Sequence, residues 1–187
     1  MTRKSEAFAL GLHTASPRPF EFYPTPHHAI EALLDREEFV GPVWEPASGD
    51  GRIVVACRRR GIECFGTDIQ QGVDFLRERR HVANIVTNPP FRLADRFYRH
   101  ALRLAQRKVV MLGQINAIVG LKRYQTIYRF WPLARVYVFV ERLQFVEKKH
   151  SLHDYCWLVW DRNHQGPTEL HHIYDPSDEQ LLRRLMR

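Results

Sequence analysis

The sequence predicts an α/β domain built on a mostly parallel sheet. Three observations carry this expectation. From Phe22 onward, short β-rich runs alternate with segments of helical periodicity. The first such run opens into a glycine turn, Gly49 and Gly51, directly before a helical segment. The next two runs end on Asp68 and Asn88, polar residues placed where strands meet their loops.

The elements follow in order. "TPHHAIEALLDREEF" reads as a helix with Thr25 as N-cap and Pro26 in the first helical position. "PVWEPA" is a strand, and "GRIVVACRRRG" a helix closed by Gly61. "ECFGTDI" is the second strand and "VDFLRER" a short turn or helix. "NIVTNP" is the next strand, "RLADRFYRHALRLAQ" the next helix and "KVVMLGQ" a further strand, with an irregular or helical stretch from there to Pro132. "ARVYVFVER" and "YCWLVWDRN" are late strands expected to pair across "LQFVEKKHSLHD", and "PSDEQLLRRLMR" reads as a terminal helix beginning near Ser177. Residues 1–20 mix Arg, Lys, Ser and Pro without periodicity and read as a mobile leader, leaving 21–187 as a single domain.

At 187 residues with 44% hydrophobic and 26% charged residues, the chain has the composition of a globular domain able to bury its own core. The net charge of +7 favours a polyanionic partner, nucleic acid ahead of lipid. Cys57, Cys64 and Cys156 are odd in number and lack CxxC spacing, which argues for a reducing, cytoplasmic setting and against a disulfide framework or a Cys-based zinc site. No window approaches the roughly 18 uninterrupted apolar residues of a membrane span, so a soluble chain is expected.

In "VWEPASGDGRI" the two glycines permit a tight turn and a close approach of ligand to backbone. The third glycine of a dinucleotide fingerprint is replaced by Val54, and Glu45 would repel a diphosphate. A carboxylate there suits a ligand carrying an ammonium or sulfonium charge instead. Asp68 lies 17 residues after Gly51, near the spacing at which an acid receives ribose hydroxyls. Asp74 precedes the apolar pair Phe75 and Leu76. Taken singly, Asp68 and Asp74 read equally well as turn and helix caps; together with the glycine turn they favour an adenosine-type ligand.

"IVTNPPF" ends a hydrophobic run on Asn88, Pro89, Pro90 and Phe91. The Asn88 side chain and the Pro89 carbonyl offer two acceptors suited to an exocyclic NH2 group. Such an amine is planar because its lone pair is delocalised. Accepting both hydrogens from outside the plane frees that pair for attack without a general base. Pro90 stiffens the turn, and Phe91 offers a ring on which a flat group can stack.

With these motifs the chain resembles the S-adenosylmethionine-dependent amino-methyltransferases, in particular DNA N6-adenine methyltransferases of the small phage or bacterial type. The resemblance covers most of the chain from Phe22 to Asp161. It implies a Rossmann-like, seven-stranded class I methyltransferase sheet flanked by helices, with a late antiparallel hairpin formed by the last two strands. It implies S-adenosylmethionine as cofactor, DNA as substrate and no metal. "FYPTP", with Tyr23, Pro24 and Thr25, is similar to the family segment that closes over the methionine end of the cofactor. "EPASGDG", with Glu45, Pro46, Ala47, Ser48, Gly49 and Gly51, resembles its first cofactor motif. Asp68 with Ile69 resembles the ribose-binding segment, Asp74 with Phe75 the adenine-reading segment, and Asn88 to Phe91 the catalytic motif. Motifs of the NPPF kind also occur in enzymes that methylate RNA or a protein glutamine, and an inactive nucleic-acid-binding module of the same fold is a further alternative.

Arg92, Arg96, Arg99, Arg103 and Arg107 recur at steps of three and four, as one face of a helix whose opposite face carries Leu93, Phe97, Ala101, Leu104 and Ala105. The basic face reads either as a phosphate contact or as a solvated surface. "KRYQTIYRFW", with Lys122 and Arg123, mixes bases with aromatics that either stack on a displaced base or pack in the core. "EKKHSLHD", with Lys148, Lys149 and His150, has the character of a loop that enters a groove; His150, His153 and Asp154 are too isolated for a metal site. Trp157 and Trp160 read as core first and as a wall of the base pocket second.

Overall fold

The computed structural model describes residues 23–145 and 152–173. The elements expected over 1–20 and 176–187, and the candidates Lys148, Lys149 and His150, lie outside the described residues. Within the described residues, α1 (His27–Leu34), β1 (Val43–Glu45), α2 (Arg52–Arg59), β2 (Cys64–Gly66), β3 (Val82–Thr87), α3 (Ala94–Leu104) and β4 (Ala105–Gln114) alternate as the sequence predicts. After β4 come a 3-10 turn over Ile115–Ile118 and α4 (Leu121–Arg123), continued by a π turn over Tyr124–Tyr128. Then follow β5 (Arg135–Phe139), β6 (Tyr155–Asp161) and β7 (Glu169–Ile173).

All seven strands form one sheet in the order β2-β1-β3-β4-β6-β5-β7. Strands β1 to β4 are mutually parallel, β6 runs antiparallel between β4 and β5, and β7 pairs parallel with β5. The late hairpin is therefore β5–β6. The strand after it, β7, completes the seven and was not legible as a strand; the hairpin is not made by the last two.

Both faces of the sheet are covered, which is why the middles of its central strands, Ile85 and Val86 in β3 and Val109 to Leu112 in β4, are apolar. Ile30, Leu33, Ile53 and Cys57 of α1 and α2 pack on Val86, Val110, Leu112 and Trp157. Phe97, Tyr98 and Ala101 of α3 pack on Ile85, Met111 and Leu158 on the other face, joined by Ile127 from the segment that crosses from β4 to β5. The three cysteines are buried and unbridged. No helix among the described residues is long and apolar enough to cross a membrane.

Several boundaries differ from expectation for local reasons. Helix α1 starts at His27 with Pro26 as its N-cap and no side-chain cap, so Thr25 does not cap it. Helix α3 ends at Leu104, where Ala105 turns to extended geometry, and this places Arg107 in β4 rather than on the basic helical face.

At the N-terminal edge of the parallel strands lies a buried charge network. Glu37, 1% exposed at its side chain, accepts from the Arg135 guanidinium, from Lys108 Nζ at 2.7 Å and from the Tyr137 hydroxyl at 2.8 Å. Arg135 also bonds Asp161 at 2.9 Å. Burial opposes ionisation of Glu37, but the hydrogen bonds from Arg135, Lys108 and Tyr137 outweigh it and hold the carboxyl below its ordinary range. The network ties the loop after α1 to β4, β5 and β6, leaving the other edge of the sheet to the site.

Candidate active site

Parallel pairing brings the ends of β1, β2 and β3 to one edge: Glu45 lies opposite Gly66, and Asn88 follows directly on β3. The turn after β1 is held there by β2. Thr67 N–H donates to the Glu45 carbonyl at 2.9 Å, and Ser48 N–H to the Thr67 carbonyl at 3.0 Å. Gly49 and Gly51 take φ values of 50° and 79°, left-handed geometry that glycine adopts without steric cost. Asp68 accepts from Gly49 N–H and from Gln70 N–H, both at 2.9 Å. It thus caps its own turn and fixes the glycine turn at the same time. Asp74 accepts from Leu76 N–H at 3.0 Å and pairs with Arg77 at 3.3 Å.

These loops enclose a cavity of about 690 Å3, within the size range of small-molecule sites. Its wall includes Tyr23, Pro24 and Thr25; Glu45, Pro46, Ala47, Ser48 and Gly49; Asp68 and Ile69; Asp74 and Phe75; and Asn88, Pro90 and Arg92. Five separate sequence motifs therefore converge on one space. Gly51 is absent from the wall and serves as the left-handed residue before α2. Pro89 and Phe91 are also off the wall, and Trp157 and Trp160 do not reach it. Trp157 is wholly buried, its indole donating to the Ala29 carbonyl at 2.8 Å. Sequence reading missed Arg52, Gln70, Arg96 and Phe97 as wall residues. Arg52 is informative: it donates to Asp50 at 2.7 Å and to the Thr25 carbonyl at 3.4 Å, fastening the 23–25 strap to the glycine turn.

Glu45 is 3% exposed, and its carboxyl accepts a hydrogen bond from Val54 N–H at 3.3 Å. Burial pushes its carboxyl up to about 9, against the Val54 bond, which favours the ionised form. A buried carboxyl of this kind on a cavity wall is held neutral until a cation approaches it.

Asn88 sits at the cavity with its amide nitrogen donating to the Tyr23 carbonyl at 2.9 Å. That bond uses a donor and leaves the amide oxygen as the acceptor it presents. Behind Asn88, Phe91 joins an aromatic cluster. Its ring stacks with Tyr23 at 6.0 Å and meets Tyr155 at 5.3 Å and Phe145 at 6.2 Å. The strap, the catalytic-type motif and the β5–β6 hairpin are thus joined by one set of rings.

No family model matches the chain, and neither does any curated protein. Its fold matches solved structures. A chain from Vibrio vulnificus YJ016, named as a modification subunit of a type I restriction enzyme, superposes with a TM-score of 0.59 at 15% identity, over 98% of this chain and 56% of that one. One from Pyrococcus horikoshii, named as an RNA methyltransferase, gives 0.57 at 16% identity, over 88% of this chain and 100% of that one. One from Listeria monocytogenes, named as a class I S-adenosylmethionine-dependent methyltransferase, gives 0.54 at 12% identity, over 97% and 76%. This is the class I methyltransferase fold. The chain spans little more than half the length of the restriction-enzyme subunit.

The class I fold places the basic candidates unequally. Arg92 and Arg96 line the cavity mouth, and Arg103 is exposed further along α3. Arg99 donates to Thr126 Oγ1 at 3.4 Å. Lys122 is exposed, whereas Arg123 is committed to Asp95 at 2.8 Å and to the Asn116 carbonyl at 3.1 Å. Arg123 therefore braces this segment against α3. Tyr128 stacks with Trp160 at 6.3 Å, while Tyr124 is exposed, so the aromatics of this segment divide between core and surface. Among the described residues no group of three or more His, Cys, Asp or Glu is placed to hold a metal.

Proposed function

We propose that the chain transfers a methyl group from S-adenosylmethionine to the exocyclic N6 of adenine in DNA. The Asn88 amide carries this reading: one of its two N–H donors is held by the Tyr23 carbonyl, which fixes the side chain at a cavity of cofactor size with its oxygen available as an acceptor. The wall residues fit the cofactor. Glu45 is a buried carboxyl that a cationic group would ionise, and Asp68 and Asp74 retain oxygen lone pairs for hydroxyl or amine donors. Tyr23, Pro24 and Thr25 would close over the amino-acid end, and Pro46 to Gly49 would approach it with backbone.

When bound, S-adenosylmethionine supplies an electrophilic methyl group on a sulfonium centre. The chain's own residues position the acceptor. Asn88 Oδ1 would accept one amine hydrogen, and the Pro89 carbonyl, off the cavity wall in this structure, would have to turn toward the cavity to accept the other and draw the nitrogen lone pair out of conjugation. Pro90 fixes the turn that holds them. The amine nitrogen would form its bond to the methyl carbon as the methyl–sulfur bond breaks, the bonding pair leaving with sulfur as a neutral thioether, and the amine would then lose one proton to solvent. Catalysis rests on positioning and electrostatic arrangement. In a duplex, the adenine must leave the stack to reach Asn88, and Phe91 would offer it a ring once Tyr23 shifts. The net charge of +7 favours a nucleic acid over a protein acceptor. The names of two structural neighbours, a restriction-enzyme modification subunit and an RNA methyltransferase, point the same way.

The test is a panel of acceptors incubated with methyl-labelled S-adenosylmethionine: unmethylated duplex DNA, RNA, and a protein with exposed glutamines. Label is expected in DNA. Label in RNA or protein alone would replace the substrate, and failure to bind the cofactor would leave a nucleic-acid-binding module of the same fold.

A further inference from the structure

The segment that follows β4 exposes apolar side chains with no use in the core. Val119, Leu121 and Tyr124 are 60%, 72% and 57% exposed, within six residues of one another. Exposed apolar side chains are ordinary when scattered singly; a cluster on a rigid support calls for a partner.

This support is rigid. Ile127 is fully buried beneath the segment. Arg123 binds Asp95, in the first turn of α3, and the carbonyls of Asn116 and Val119. The Tyr128 hydroxyl donates to the Ala117 carbonyl at 2.6 Å, and Gly120 turns the chain with φ of 113°. The π turn over Tyr124–Tyr128 is of a kind found often at functional sites. Asp95 lies between Arg92 and Arg96, both on the cavity wall, so the Arg123 brace fixes the segment beside the cavity mouth. From Ile115 to Ala134 there is no acidic residue, while Lys122 and Arg129 are exposed. Leu121 and Tyr124 are three apart and share one side of the helical turn.

Building on the reading of the chain as a DNA methyltransferase, we propose that residues 119–124 form a wedge for duplex DNA. Leu121 and Tyr124 enter the base stack beside the target nucleotide and occupy the space it vacates, and Lys122 meets the flanking phosphates. Proteins that unstack duplexes use apolar wedges on basic surfaces in this way. The wedge offsets the cost of unpairing a stacked base, a cost that a single strand does not impose. Its contribution therefore belongs to the duplex reaction alone.

The experiment compares methyl transfer by the wild-type chain and a Leu121→Ser/Tyr124→Ser variant, on duplex DNA and on the same DNA after strand separation. Both side chains are exposed, so the variant is expected to melt with wild-type cooperativity and to bind the cofactor with unchanged affinity. Its duplex rate should fall by about tenfold or more, with the single-strand rate kept within about twofold. A Lys122→Ala variant should weaken duplex binding and lower its dependence on salt. Equal loss on both substrates, or an unchanged duplex rate, overturns the wedge while leaving the enzyme reading intact. A wild-type chain that labels no DNA overturns the enzyme reading, and the wedge with it.

Discussion

Substituting Glu45 by Gln should make the free protein more stable and a poorer enzyme. The Glu45 carboxyl is buried at the cavity wall, and burial pushes it up to about 9 from an ordinary 4.5. At pH 7 it is protonated in the folded chain and ionised in the unfolded one, so folding must take up a proton. The folded state binds the extra proton between the two values, and stability attributable to this group falls as pH rises across that window. At about pH 7 the proton must be taken up roughly 2.5 units above the unfolded value, which costs about 3 kcal/mol at 1.36 kcal/mol per unit. Gln keeps the shape and an oxygen for the Val54 N–H and has no proton to take up. Urea denaturation of both proteins from about pH 5 to pH 8 reads the difference, in which contributions from other titrating groups cancel. The Gln variant should gain stability over wild type with rising pH, reaching about 3 kcal/mol near neutrality. A difference that stays flat across this range would refute the assignment of a neutral Glu45. Cofactor binding supplies the complementary sign: if the ammonium ionises Glu45, calorimetry in two buffers near pH 7 should register release of about one proton by wild type and none by the variant.

Three further outcomes are expected. Asn88→Ala should lower methyl transfer by roughly a hundredfold or more, the scale on which single transition-state hydrogen-bonding groups act, with cofactor affinity nearly unchanged by calorimetry. Asp68→Ala should do the reverse, weakening cofactor affinity first, because it removes a wall carboxylate and frees the Gly49 amide; equal cofactor affinity in variant and wild type would remove Asp68 from the site. Glu37→Ala should cost about 3–5 kcal/mol in urea denaturation by leaving Arg135 and Lys108 without their buried partner. The depressed carboxyls of Glu37 and Asp161 contribute stability above their unfolded values, and this is lost as pH falls through the folded ones; acid titration of the Glu37 variant should lose much of that dependence.

The fold was legible where a single physical signal governed each element. Ile85 and Val86 in "NIVTNP" are apolar because both sheet faces are covered, and Gly49 and Gly51 mark a turn whose positive φ values favour glycine. Strand β7 was not, since four of its five residues are exposed and its adjacent histidines break any alternation; only its pairing with β5 makes it a strand. That Glu45–Gly49, Asp68 and Asp74 share one cavity wall was legible because these are short, local motifs at strand ends. The cluster of Tyr23, Phe91, Phe145 and Tyr155 was hidden, because tertiary folding alone joins positions so far apart. The bracing role of Arg123 was hidden for a related reason: its partner, Asp95, is 28 positions away.

The most direct test of the account is the chemical identity of the methylated product. Unmethylated duplex DNA treated with the chain and labelled S-adenosylmethionine should be digested and its nucleosides resolved by mass spectrometry. N6-methyladenine is expected, lowered roughly a hundredfold or more together with transfer in Asn88→Ala. Label on a cytosine carbon, or N6-methyladenine formed undiminished by Asn88→Ala, would contradict the account.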